Sequence, residues 1–309
     1  MRWLVNSAHH KLAVILCLAL SLLPVAAAQA ATREKVLYAF TGGTDGAGPD
    51  SSLLLDSHGN LYGTTSGGGD QSCTIYDNPG CGVVFELTPS ANSTWQQQVL
   101  YAFQGGSDGL YPSGNLVLDA AGNLYGTTVY GGDYTRCTDY GCGTVFELSP
   151  NGDGTWTESI VYDFSASSDG IFPSGLLFGQ SGNLYGIATG GGSSSYGTIY
   201  ELSPPKQKGG AWTETILYDF QSFGAQPDSY LVFDGQGNLY GAWFNALARE
   251  AVRRTNWSGR AKSGWKRIFM ISRGMATEAS PRVESFSMAR DVCSEPGPRA
   301  ETVLALPLS

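Results

Sequence analysis

The pentapeptide Gly-Asn-Leu-Tyr-Gly occurs four times, at 59–63, 122–126, 182–186 and 237–241. Its asparagines, Asn60, Asn123, Asn183 and Asn238, are separated by 63, 60 and 55 positions. Recurrence at a near-constant step identifies one small structural unit stacked on copies of itself. The chain is therefore an array, and each residue is best weighed against its counterparts in the other copies.

Each copy is dense in β-branched and aromatic residues and punctuated by Gly, Asp, Asn and Pro, which is the chemistry of strands and turns. In the second copy four strands are expected, at 115–119, 123–128, 143–148 and 156–164. The last has a period of two, with Trp156, Glu158, Ile160, Tyr162 and Phe164 on one parity. Its equivalents repeat that parity as Trp95, Gln97, Val99, Tyr101, Phe103 and as Trp212, Glu214, Ile216, Tyr218, Phe220. A strand that buries one face must hold such a parity, because a slip by one residue turns its apolar set outward. The segments around Asp56 to Asn60 and Asp119 to Asn123 read as hairpin turns, in which Gly supplies positive φ and Asp bonds nearby amides. Copy three has Gly179 where the Asp would stand, so the acid aids the turn without being required. Four antiparallel strands per copy of about 60 residues imply an all-β, propeller-like stack of four-stranded repeats, with an open stack or a sandwich as the alternative.

Charge divides the chain of 309 residues into three regions. Residues 1–30 hold Arg2, Lys11, an apolar run and the small-residue pattern Ala28-Gln29-Ala30, which is the layout of a secretory signal. Residues 31–241 carry 21 Asp or Glu against 5 Lys or Arg, a net of −16, and 38 of the 42 glycines. A domain this acidic repels a phosphate backbone, which argues against nucleic acid as a partner. Residues 242–309 carry 11 basic and 6 acidic residues, a net of +5. No span long and apolar enough for a membrane is expected in the mature chain, since Ser21 and Pro24 break the only candidate.

Cysteine usage agrees with export. Cys73 and Cys81 sit in a Gly-rich loop of copy one, and Cys137 and Cys142 in the same loop of copy two. Copy three shortens that loop and loses both cysteines together. Joint presence and joint absence predict two local disulfides, Cys73 with Cys81 and Cys137 with Cys142, in an oxidising compartment. Metal ligation is the weaker reading, since the spacing is not C-x-x-C and no His is near.

The recurrent Asn-Leu-Tyr-Gly-Thr-Thr at 60–65 and 123–128, Gly-Thr-Val-Phe-Glu-Leu at 143–148, and the Leu-Tyr-x-Phe or like ends at Phe40, Phe103 and Phe220 resemble the GloVer tandem-repeat family of exported bacterial proteins, described as choice-of-anchor. The resemblance covers roughly 35–241. It implies an exported, propeller-like protein, often held at the cell surface by a C-terminal anchor, and it transfers no catalytic residue.

After Gly241 the pattern stops in mid-motif. The array thus holds three full repeats and part of a fourth, and the open edges favour self-association. The abrupt charge reversal at 242–309 matches an out-of-frame or foreign segment, and the rival reading is a genuine tail with a short helix near 245–254. The site inventory is thin. His58 stands in a turn where copy two has Ala121, which suits a solvated residue rather than a general base. Asp45, Asp108 and Asp169 precede Gly in matching turns and read as caps before they read as catalysts. Asp70, Asp77, Asp133 and Asp139 lack the spacing of a calcium loop. Tyr111, Tyr130, Tyr134, Tyr140 and Tyr196 are candidates for stacking on sugars or peptides. No catalytic, cofactor or metal residue is assigned. The function expected is a non-catalytic exported binding or structural module for a glycan or surface protein, and the alternative is a carbohydrate-active enzyme that uses loop Asp residues.

Overall fold

The computed structural model describes residues 35–75, 78–135, 137, 140–165, 168–179, 181–207, 209–221, 226–227, 230–244, 254–257 and 268–273. The expected export signal at 1–30 lies outside them, as do Asp77, Asp139 and most of 242–309. The rest is all-β. Copy two forms one antiparallel sheet in chain order from Leu110–Leu118, Leu124–Tyr130, Thr144–Pro150 and Trp156–Asp163. Copy three repeats it with Ile171–Phe178, Leu184–Gly190, Thr198–Ser203 and Thr213–Asp219. Copy one splits its first strand into Ala47–Pro49 and Leu54–Leu55, followed by Leu61–Gly67, Val83–Pro89 and Trp95–Ala102. The result is a propeller-like succession of four-stranded sheets.

In copy four, Gln226–Pro227 and Val232–Phe233 pair with Leu239–Phe244 in the usual antiparallel way. The next partner breaks the rule. Ile268–Arg273 runs parallel to Leu239–Phe244, with Arg254–Trp257 antiparallel beyond it. The three earlier copies pair second and third strands antiparallel.

Two expectations are corrected. The first strand of copy two is nearly twice the expected length because it runs on through Pro112 and Gly114, residues that normally end a strand. It tolerates them by a bulge, with Ser113 opposite Thr127 and the next pair Val117 opposite Tyr125. The strict parity of the fourth strand also fails. Val145 faces Tyr162 while Phe146 faces Ile160, so Val161 is an extra residue. Val161 is therefore buried and Ile160 exposed, the reverse of the simple alternation. The same slip buries Leu100 and Leu217 in the neighbouring copies.

The core lies between copies rather than within them. One cluster joins Leu100 and Phe103 of copy one to Leu116, Leu124 and Phe146 of copy two. A second joins Val161 and Phe164 to Leu184, Tyr200 and Leu202, and a third joins Tyr185 and Leu217 to Leu231 and Leu239. Phe40, and the terminal Phe of copies one and two, each meet a ring of the copy that follows edge to face. Ring centroids are 4.9 Å apart for Phe40 and Phe85, 5.2 Å for Phe103 and Phe146, and 5.2 Å for Phe164 and Tyr200. Each such buried ring contributes roughly 1.5–3 kcal/mol. This geometry also explains the last letter of the pentapeptide. A Cβ at Gly126 would lie 2.4 Å from Phe146 Cζ, so the ring occupies the space a side chain would need.

Candidate functional site

The carboxylates are the natural place to look for chemistry, and most of them serve the fold. Asp56 Oδ1 accepts the amides of His58 and Asn60, each at 2.8 Å, while Oδ2 accepts Asn60 Nδ2 at 3.0 Å and Tyr62 Oη at 3.3 Å. Asp119 and Asp234 repeat this set in copies two and four. Burial alone would raise Asp56 and Asp234, yet the donated hydrogen bonds outweigh it and hold both below the ordinary carboxylate range. In copy three, where Gly179 replaces the acid, Asn183 turns to Glu201 and to Tyr185. The Asp-Asn-Tyr signature is thus a turn lock. His58 stands beside it with its side chain 83% exposed.

The turns that lead into each copy use their Asp in a related way. Asp45 accepts the Thr41 amide at 2.9 Å, Asp108 accepts that of Gln104 at 2.9 Å, and Asp169 accepts that of Ser165 at 3.3 Å. Two of them also meet a tyrosine from the preceding copy: Tyr101 Oη is 3.0 Å from Asp108, and Tyr162 Oη is 3.2 Å from Asp169. Tyr162 Oη is equally 3.2 Å from Glu214 Oε2, on the fourth strand of copy three. A hydroxyl has one proton to donate. It stands between the two carboxyls and donates to one of them at a time.

Glu214 is half-buried. Burial, and secondarily the Asp169 charge, push its carboxyl up to about 8. Glu158, its counterpart in copy two, is pushed up to about 7 by burial and by Asp108. One oxygen of each, Oε1, is buried without a hydrogen-bond partner among the described residues. Copy one has Gln97 instead, whose Nε2 donates to the Asp45 carbonyl at 3.0 Å. The sequence reading passed over both glutamates, although the Gln/Glu exchange at a repeat position was the available signal.

Both predicted disulfides are present, Cys73 with Cys81 and Cys137 with Cys142, with Cα atoms 5.7 and 5.4 Å apart. Just ahead of each bridge, Asp70 and Asp133 cap their own turns through Ser72 and Thr135. Among the described residues no three His, Cys, Asp or Glu side chains are grouped for a metal.

The aromatic candidates separate. Tyr196 packs against the core between copies three and four, and Tyr111 and Tyr130 are half-buried against the core between copies one and two. Tyr111, Tyr130 and Tyr140 come together, and Phe172, which sequence reasoning missed, joins them. Tyr130 has its ring centroid 6.1 Å from Tyr111, 5.8 Å from Tyr140 and 5.4 Å from Phe172. Tyr134, in the same loop as Tyr140, is 41% exposed, and Tyr140 is 38% exposed. Tyr111 and Phe172 both hold φ at 59°, the left-handed region, where copy one places Gly48 at 65°. A side chain there costs roughly 1–2 kcal/mol relative to glycine. The strain is held by hydrogen bonds from the Tyr111 amide to the Cys81 carbonyl at 2.9 Å and from the Phe172 amide to the Cys142 carbonyl at 2.8 Å. Aligning the residues before Pro49, Pro112 and Pro173 would have brought Phe172 into view.

A family model described as the Gloeobacter/Verrucomicrobia repeat matches residues 27–250. No curated protein matches the chain. Similar solved structures include one provisionally described as a gluconolactonase, 18% identical with a TM-score of 0.40, over 63% of this chain and 57% of that one. A gluconolactonase from Xanthomonas campestris is 16% identical with a TM-score of 0.37, over 60% and 53%. A Dyadobacter fermentans protein of unknown function is 13% identical with a TM-score of 0.40, over 60% and 58%. The match spans little more than half the length of each.

Proposed function

The chain belongs to the Gloeobacter/Verrucomicrobia repeat family, and from that premise we propose that it works outside the cytoplasm as a non-catalytic module that holds a ligand on its array of repeats. The observation that carries this reading is the engagement of the loop acids. Asp45, Asp108 and Asp169 accept amides of their own turns, and Asp56, Asp119 and Asp234 lock the hairpins. A general acid or base needs a carboxyl that a substrate can reach, and these are already occupied. Two disulfides and an apolar, small-residue-terminated leader support an oxidising, extracytoplasmic location.

The rival reading, a carbohydrate-active enzyme, draws on Glu158 beside Asp108, since a carboxyl pushed up to about 7 suits a general acid. Against it, the same pairing recurs at Glu214 and Asp169, and a reacting pair has no need of a duplicate in the next copy. The test is to incubate the full chain with neutral and acidic polysaccharides and follow both retention and reducing-end release. Retention without release supports the module, and steady release that Glu158→Gln abolishes overturns it.

A further inference from the structure

We infer that the aromatic cluster of Tyr111, Tyr130, Tyr140 and Phe172, astride the seam between copies two and three, is a binding site for a neutral hexose chain. This rests on the module reading above and names its ligand class. The starting observation is backbone geometry. Two successive copies hold an aromatic side chain in the left-handed region, at a position the fold can fill with Gly48. Copy four has Gln226 before its proline, so the aromatic choice is confined to the middle of the array. Strain retained against an available glycine points to a role for the side chain; Tyr111 and Tyr130 rest half-buried on the core between copies one and two, while Tyr140 is open to solvent.

The rings are also held in advance of any ligand. The strained amides of Tyr111 and Phe172 are tied to carbonyls of Cys81 and Cys142, which the disulfides fix within their loops. The Gly131 amide is bonded to the Tyr140 carbonyl at 2.7 Å, which sets the loop that presents Tyr140. A site whose rings are already in place loses less freedom when it binds.

The chemistry selects the occupant. Aromatic faces stack on the C–H-rich faces of pyranose rings, and phenol groups at their edges exchange hydrogen bonds with sugar hydroxyls. Three of the four rings are tyrosines. The surrounding domain, at −16, repels acidic polymers, so among polysaccharides an uncharged chain is the favoured ligand.

Calorimetric titration of the full chain with cellohexaose and with maltohexaose tests this. Binding of at least one is expected, weakened about tenfold or more by Tyr130→Ala and by Phe172→Gly. Phe172→Gly is the decisive variant, because glycine suits φ 59° and the fold should melt within a few degrees of the parent. No heat with either hexaose, or unchanged affinity in Phe172→Gly, overturns the inference. Binding of a proline-rich peptide in place of sugar, abolished by the same variants, also overturns it while leaving the module reading intact. Release of shorter sugars would overturn the non-catalytic reading and support the glycan site.

Discussion

Replacing Glu214 by Gln should raise stability in alkaline solution and leave it unchanged in mild acid. Glu214 is pushed from its ordinary 4.5 up to about 8 in the folded chain, by burial first and by Asp169 second. The groups that face it are Asp169, Tyr162 and Tyr200. Its folded state holds a proton that the unfolded chain has already lost. Stability therefore falls as pH rises from about 4.5 towards 8 and is level beyond. At ~1.4 kcal/mol per pH unit the full shift would amount to roughly 5 kcal/mol. Solvent reaches part of this side chain, so a discounted value of about 2 kcal/mol is the working expectation. Gln keeps the shape and neutrality of the protonated acid, and copy one already carries Gln97 at this position. Urea unfolding followed by tryptophan fluorescence, at intervals from pH 5 to 9, gives the comparison. Parent and variant should coincide at pH 5 and diverge steadily, with Glu214→Gln about 2 kcal/mol more stable at pH 9. Parallel curves across the range would refute the claim that burial keeps the Glu214 carboxyl protonated beside Tyr162. The lowered carboxyls of Asp56 and Asp234 act only in the acid range and do not disturb the comparison.

The remaining predictions concern the array. Gly126→Ala should destabilise the fold by roughly 1–3 kcal/mol, because its Cβ would meet Phe146 Cζ at 2.4 Å, and thermal denaturation would show it. Cys73→Ser combined with Cys81→Ser should cost about 2–3 kcal/mol, read as a lowered urea midpoint that added reductant does not lower further at that loop. The proposal that 242–309 is a foreign or out-of-frame segment predicts a Gly-Thr-Val-Phe-Glu-Leu block in another frame of the gene past Gly241, and its absence from both frames would end that proposal.

Sequence legibility followed the repeats. The second and third strands, the hairpin turns and both disulfides were readable because each copy supplies a check on the others. Bulges were not. Val161 enters the core only because the strand gains a residue against Val145 and Phe146, a register event that no local pattern announces. Pro112 and Gly114 masked the length of the first strand, since their local preference opposes a pairing imposed by the neighbouring strand. Glu158 and Glu214 looked like ordinary members of an alternating face, and their character arises first from burial and second from an aspartate distant in sequence, Asp108 and Asp169 respectively. Phe172 escaped because left-handed backbone is unexpected for an aromatic residue. The parallel pairing of Ile268–Arg273 with Leu239–Phe244 had no precedent in the other copies.

The account stands on each copy closing its terminal ring onto the next. A double-mutant cycle on Phe103 and Phe146, each changed to Leu, measures that contact directly. Rings 5.2 Å apart in edge-to-face packing predict a coupling of about 0.5–1.5 kcal/mol. The same cycle on Phe103 and Tyr200, two copies apart, should be additive. No coupling between Phe103 and Phe146, or an equal coupling to Tyr200, would contradict the stacking of successive repeats.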